Sequence, residues 1–293
     1  MTFLWLLEGI RTPFFDKLMQ LVTYFGQELI IIAVICTLYW CVDKRFAYLL
    51  GFTYFSAGLC VQALKITFRI PRPWILDPEF PPVESALEGA TGYSFPSGHT
   101  QGATCLFFPL ALRTRRLWAK LLYAAAFLGI GFSRMYLGCH TPKDVFTSMA
   151  LSLVTASVIW KFQSVLLDER RYLPHITAAM TCLSLAVAAY ALLLHGNGTI
   201  ETKYVMDCCK AAGAGLGFSV GYYIEHTRLN FDAHAGGFAA RCLRLVIGLL
   251  LALLIKEGFS LVFGNSVLAK MSEYFILVLW VIVLYPCIFS RMK

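Results

Sequence analysis

Nine apolar runs, most of them near the length of one membrane crossing, leave this chain almost no route to a water-soluble fold. They cover roughly residues 20–42, 45–67, 98–112, 117–137, 142–166, 174–195, 204–224, 238–263 and 272–290. A helix needs about 20 residues to cross a bilayer. Some runs are short or interrupted, as 98–112 is by Pro109. Charged residues make up only 14% of the 293, against 58% hydrophobic ones. A soluble domain carries about 25% charged residues, so the mean hydropathy of +0.67 reads as that of an integral membrane protein. In lipid, every backbone group must bond within the chain, which makes the runs helices. The expected fold is an all-α, polytopic transmembrane bundle of about nine spans. An amphipathic segment, 1–19, lies at the interface before it; the first five spans, within 20–166, form a core, and 167–293 forms a helical extension.

The net charge is +8. In a membrane protein this excess fits cytoplasmic loops rich in Lys and Arg rather than nucleic-acid binding. The ten cysteines lie scattered in apolar stretches without a CxxC pair, so they read as small buried hydrophobes rather than metal ligands or a disulfide framework. Glu8, Arg11, Asp16 and Lys17 come too early for a cleavable leader. Alternation of the spans puts the loops at 43–45, 113–120, 167–173 and 225–237 and the C-terminus on one side, with 14 of the 25 Lys and Arg residues. The remaining 11 share the opposite side with the long loop 68–97, and three of these belong to the polar clusters below. The bias of 14 against 8 places the long loop outside the cytoplasm.

That loop holds six prolines and connects three polar clusters that share its side of the membrane. KITFRIPRP carries Lys65 and Arg72, YSFPSGHT carries Ser97, Gly98 and His99, and SRMYLGCHTPKD carries Arg134, His140 and Asp144. Two guanidinium groups and an ammonium converging on one point make an anion site, with planar bidentate recognition from the arginines. Ser97-Gly98 before a helix start adds free N–H groups at a positive dipole end, and Gly98 lets the backbone approach a ligand closely. With a helix starting near Thr141-Pro142, His140 and Asp144 stand four apart. The carboxylate can hold one ring nitrogen as N–H and leave the other free to attack, while His99 protonates a leaving oxygen. The residues alone leave the division of labour between the two histidines open. Without a cluster of metal ligands, they suggest phosphoryl transfer through a phosphohistidine, with no cofactor.

Lys, six residues and Arg-Pro, then Pro-Ser-Gly-His, then Ser-Arg, five residues, His, three residues and Asp: this pattern resembles the type 2 phosphatidic acid phosphatase (PAP2) family, which shares its site with glucose-6-phosphatase and the vanadium haloperoxidases. All three motifs match at every signature position, and the likeness covers about residues 20–166. The resemblance implies an α-helical core and a metal-independent phosphatase, with His140 as nucleophile, Asp144 as its orienting partner and His99 as general acid. It assigns Lys65, Arg72, Ser97, Gly98 and Arg134 to the phosphate. A site at helix ends suits a lipid phosphate or diphosphate whose tail stays among the membrane lipids. A sugar phosphate, as for glucose-6-phosphatase, is the alternative enzyme reading. A phospholipid transporter or scramblase would need midplane charges and repeated halves, neither of which stands out. Outside the motifs, Arg69 reads as an interfacial charge and Asp207/Lys210 as an i,i+3 ion pair.

Overall fold

The computed structural model describes residues 1–291; Lys293, one of the basic residues assigned to the cytoplasmic side, lies outside them. Among the described residues there is no strand. The helices run in the order α1 (Thr2–Glu8), α2 (Pro13–Tyr24), α3 (Glu28–Thr37), α4 (Lys44–Phe68), α5 (Pro73–Leu76), α6 (Gly98–Arg113), α7 (Leu117–Tyr136) and α8 (Pro142–Lys161). There follow α9 (Gln163–Leu167), α10 (Leu173–Gly196), α11 (Thr202–Ile224), α12 (Phe238–Phe263), α13 (Val267–Leu279) and α14 (Tyr285–Arg291).

All nine apolar runs fall on helices. Among the described residues, four helical stretches are long and apolar enough to cross a membrane: Lys44–Leu76, Arg170–Gly196, Phe238–Phe263 and Val267–Ser290. The pair Pro13–Tyr24 and Glu28–Val42, bent by 43°, makes up to five. The first run is therefore not one straight helix. At the bend, a side chain on Gly26 would stand 2.7 Å from Ile130 and 3.1 Å from the His99 carbonyl, so only glycine lets the backbone pass there. Helix α6, of 16 residues, is too short for the apolar set, and both α6 and α8 bury polar side chains, among them Gln101, Thr104, Ser148 and Ser152.

The described residues divide into two compact units: Met1–Ile32 with Ala63–Trp160, and Ala33–Gln62 with the residues from Lys161 onward. In the first, Leu4 and Leu7 of α1 pack with Phe80, Phe127, Ile130 and Val145, while Leu6, Ile10 and Phe14 are turned outward. Leu4 and Leu7 each contribute roughly 1.5–3 kcal/mol. Pro13 opens α2, and Thr12 caps it by accepting from the Phe15 N–H at 3.3 Å.

In the second unit, Gly213, Gly217 and Gly221 form a stripe on α11 at four-residue spacing. A methyl on Gly213 would collide with the Met271 carbonyl, and one on Gly217 would stand 2.6 Å from that of Phe275. Small residues at this spacing let membrane helices approach backbone to backbone, here α11 and α13. Asp207 and Lys210 form the expected ion pair at 3.1 Å. Cys182 and Cys242 are exposed rather than buried, because the outer faces of α10 and α12 are themselves apolar, with Leu185, Leu193, Leu243 and Val246 facing outward.

Candidate active site

The site lies within the first unit. Lys65 stands in the last turn of α4, and its ammonium donates to the Tyr93 carbonyl at 2.9 Å. Arg69 leaves the helix in the left-handed region at φ 51°. Pro73 sets the start of α5, and Arg72 just before it folds inward until only 5% exposed. Three carbonyls hold its guanidinium flat: Gly92 on Nε at 3.1 Å, Thr91 on Nη2 at 2.7 Å and Cys139 on Nη1 at 3.0 Å. Nη1 also lies 2.9 Å from His140 Nε2.

Ser97 caps α6, its oxygen accepting from the Thr100 N–H at 3.4 Å and the Thr100 hydroxyl at 3.0 Å. Its backbone is tied to α8: Ser97 N–H donates to the Asp144 carbonyl at 3.2 Å, and Ser148 donates to the Ser97 carbonyl at 2.6 Å. Nothing lies within 4 Å of where a Gly98 side chain would stand, which leaves the start of α6 open to a ligand. His99 follows in the first turn.

Arg134, in the last turn of α7, is 1% exposed. Its Nη1 donates to Thr23 at 3.1 Å, while Nε and Nη2 are buried with no hydrogen-bond partner. Gly138, at φ +78°, turns the chain between α7 and α8 where a side chain would strike Phe80. Thr141 and Asp144 then form a capping box on α8: Asp144 Oδ2 accepts from the Thr141 N–H at 2.8 Å, and the Thr141 hydroxyl accepts from the Asp144 N–H at 3.4 Å.

Asp144 does not reach His140 as its spacing suggested. Its Oδ2 is 3.6 Å from Nδ1, beyond hydrogen-bond range. Between them stands Ser94, which donates to Oδ2 at 2.6 Å and lies 3.4 Å from Nδ1. The spacing argument passed over Ser94 although it sits three residues before Ser97, because a serine in a loop carries no periodicity to mark it.

His140 lies between helices and is buried. Burial first, then the charges of Arg72, Arg134, Lys65 and His99, hold its pKa well below the ordinary histidine value. The hydrogen bonds of Arg72 and the close approach of Ser94 to His140, with Ser97 bonded to Asp144, bring the three motifs together. Among the described residues no three His, Cys, Asp or Glu side chains are grouped to hold a metal.

The model of the PAP2 superfamily matches residues 46–168, and that of the PAP2 superfamily phosphatase transmembrane extension matches residues 209–293. Together they cover well over half of the chain, which belongs to the PAP2 superfamily and is an integral membrane protein. Among curated proteins, it is 30% identical over 112 residues to the undecaprenyl-diphosphatase BcrC of Bacillus subtilis, covering 38% of this chain and 54% of that one. It is 24% identical over 244 residues to a probable sphingosine-1-phosphate phosphatase of Dictyostelium discoideum, covering 75% of this chain and 56% of that one. It is 25% identical over 159 residues to phosphatidylglycerophosphatase B of Bacillus subtilis, covering 50% and 73%. The chain thus spans about half the length of the first two relatives. No solved structure matches it.

Proposed function

We propose that this protein is a membrane-embedded, metal-independent phosphatase that hydrolyses a lipid phosphate or diphosphate through a phosphohistidine at His140. The observation that carries the reading is Arg134, a fully buried cation whose Nε and Nη2 find no partner in the protein. Leaving such donors unpaired costs about 1–3 kcal/mol or more, and a phosphate oxygen pair satisfies both at once. Lys65, Arg72, the Ser97-Gly98 backbone and Arg134 bind the phosphate. His140 Nε2 attacks phosphorus as the ester or anhydride P–O bond breaks, and His99 protonates the departing oxygen. Water, deprotonated by His99, then attacks the phosphohistidine; phosphate leaves and His140 is regenerated. Arg72, now 2.9 Å from Nε2, swings its N–H to a phosphate oxygen as the nitrogen lone pair engages phosphorus.

The names of these relatives support a lipid substrate: a diphosphatase of undecaprenyl and phosphatases of sphingosine-1-phosphate and phosphatidylglycerophosphate. Residues 20–166 form the catalytic core and 167–293 its extension, although the compact units cut across that line at 33–62. α6, α7, α8 and α11 cross the bilayer as well, with Leu121, Leu122 and Leu128 of α7 and Val154 of α8 turned outward, giving about nine spans, and the site faces away from the cytoplasm. Phosphate release from a panel of lipid phosphates, lipid diphosphates and sugar phosphates, assayed in detergent, tests the reading. Lipid substrates are turned over, EDTA has no effect and orthovanadate inhibits. Turnover of sugar phosphates alone, or loss in EDTA restored by added metal, overturns it. For sidedness, an impermeant thiol reagent labels Glu84→Cys in intact cells and Arg115→Cys only after permeabilisation, in a background free of native cysteines. The reverse pattern puts the site in the cytoplasm.

A further inference from the structure

We propose that Ser94 is a positioning residue that links Asp144 to His140, so that the orienting unit of the nucleophile is His140–Ser94–Asp144 rather than a histidine–carboxylate pair. The proposal rests on His140 being the nucleophile and deepens that reading.

Asp144 Oδ2 already accepts two short hydrogen bonds, from the Thr141 N–H at 2.8 Å and from the Ser94 hydroxyl at 2.6 Å. The first is fixed by the start of α8, which pins the carboxylate 3.6 Å from Nδ1. Ser94 fills the gap. Having donated its only proton to Asp144, its oxygen has lone pairs left and lies 3.4 Å from Nδ1. An oxygen in that position accepts, so the Nδ1 proton points at Ser94.

The opposite edge of the ring agrees independently. Arg72 Nη1 lies 2.9 Å from Nε2, and a guanidinium can only donate. Nε2 is therefore the bare nitrogen, the tautomer a nucleophile at that atom requires. Ser94 is itself fixed: it is 1% exposed, and its N–H donates to the Ile70 carbonyl at 2.8 Å. This bond ties motif one to motif two directly, which gives the serine a rigid mount. The charged and titratable groups facing His140 are Arg72, Arg134, Lys65 and His99, with Asp144 behind Ser94. Asp144 thus acts at one remove, polarising the hydroxyl that holds the ring.

The test is kinetic, with the full-length protein in detergent. Ser94→Ala lowers kcat by about 10- to 100-fold, the usual loss when a partner behind a functional histidine is removed, while KM and the affinity for orthovanadate stay near wild type. Because Asp144 acts through Ser94, adding Ser94→Ala to Asp144→Asn causes little further loss. If Ser94→Ala fails to fold, Ser94→Cys, of similar size but a weak hydrogen-bonding group, shows the same kcat-only loss. An unchanged kcat, a loss carried by KM, or independent losses from Ser94→Ala and Asp144→Asn would reduce Ser94 to a packing residue. His140→Ala in the same preparations separates the two readings. Activity retained there removes the nucleophile, and with it this proposal. An inactive His140→Ala beside a fully active Ser94→Ala removes the proposal alone.

Discussion

Each compact unit buries a charge cluster, and the two are finished differently. In the second unit, Lys44 donates to Glu225 at 2.7 Å, to Asn230 at 3.1 Å and to the Phe231 carbonyl at 2.8 Å. All three ammonium protons are used. Glu225, fully buried, also accepts from Tyr48 at 3.0 Å, and Tyr48 shares a 2.9 Å hydrogen bond with Tyr39, which is within 2.9 Å of the Ile282 carbonyl. In the first unit, Arg134 keeps two donors unpaired and Asp144 keeps Oδ1 unpaired. A closed network spends its charge on holding helices together; an open one keeps charge available for a ligand. On the proposed function, this contrast, rather than burial as such, separates structural from functional charge.

The contrast breaks most visibly at His140. His140→Ala lowers turnover by about four orders of magnitude or more and leaves the thermal midpoint in detergent unchanged. More than a few per cent of wild-type turnover in folded protein would remove the role. Arg134→Gln follows, losing about 10²–10³ in kcat, the usual result of removing one preorganised charge donor. Its stability holds or rises, because an underpaired buried charge is gone. Marked unfolding would place Arg134 with the structural charges.

Lys44→Met gives the mirror image. It takes Lys44 from the fully buried Glu225, which keeps His226 Nδ1 at 3.1 Å, and destabilises by at most about 3–5 kcal/mol. Lys44 is a fifth exposed, which favours the lower end. The folded fraction keeps wild-type kcat, and Glu225→Gln in the same chain recovers most of the loss. A fall in kcat without a fall in melting temperature would mean that this cluster serves the chemistry as well. Smaller still is Gly213→Ala, about 1–3 kcal/mol from forcing a methyl between backbones; no change in melting temperature would show that α11 and α13 part freely.

The site was legible in the sequence to the extent that chemistry leaves a spacing. Lys65, Arg72, Arg134, His140 and Asp144 carry charges that apolar runs cannot hide, and Ser97-Gly98 marks a helix start. Ser94 was not legible, because its position depends on where two loops meet. The closed cluster escaped for a similar reason: Lys44 and Glu225 are 181 residues apart and join only by folding. The runs located the helices well because backbone satisfaction in lipid permits little else. The bend at Gly26 was missed, since it answers to the Ile130 side chain and the His99 carbonyl.

The smallest effect tests the open cluster by pH. As the proposed nucleophile, His140 would attack only as the neutral imidazole, and its pKa sits well below the ordinary histidine value through burial and through Arg72, Arg134, Lys65 and His99. A lowered pKa keeps the nucleophile unprotonated at pH 6.5, so its acid limb in kcat/KM falls below that value. Arg72 stands 2.9 Å from Nε2, where a positive charge penalises the imidazolium most. Arg72→Gln removes that penalty, so the pKa rises and the acid limb moves to higher pH, alongside a loss of turnover from weaker phosphate binding. The substrate's own phosphate titrates alike in both proteins, so the displacement between the two profiles isolates the histidine. An unmoved limb, or one displaced to lower pH, would mean that Arg72 and His140 are not electrostatically coupled and that the open cluster is not organised around this nucleophile.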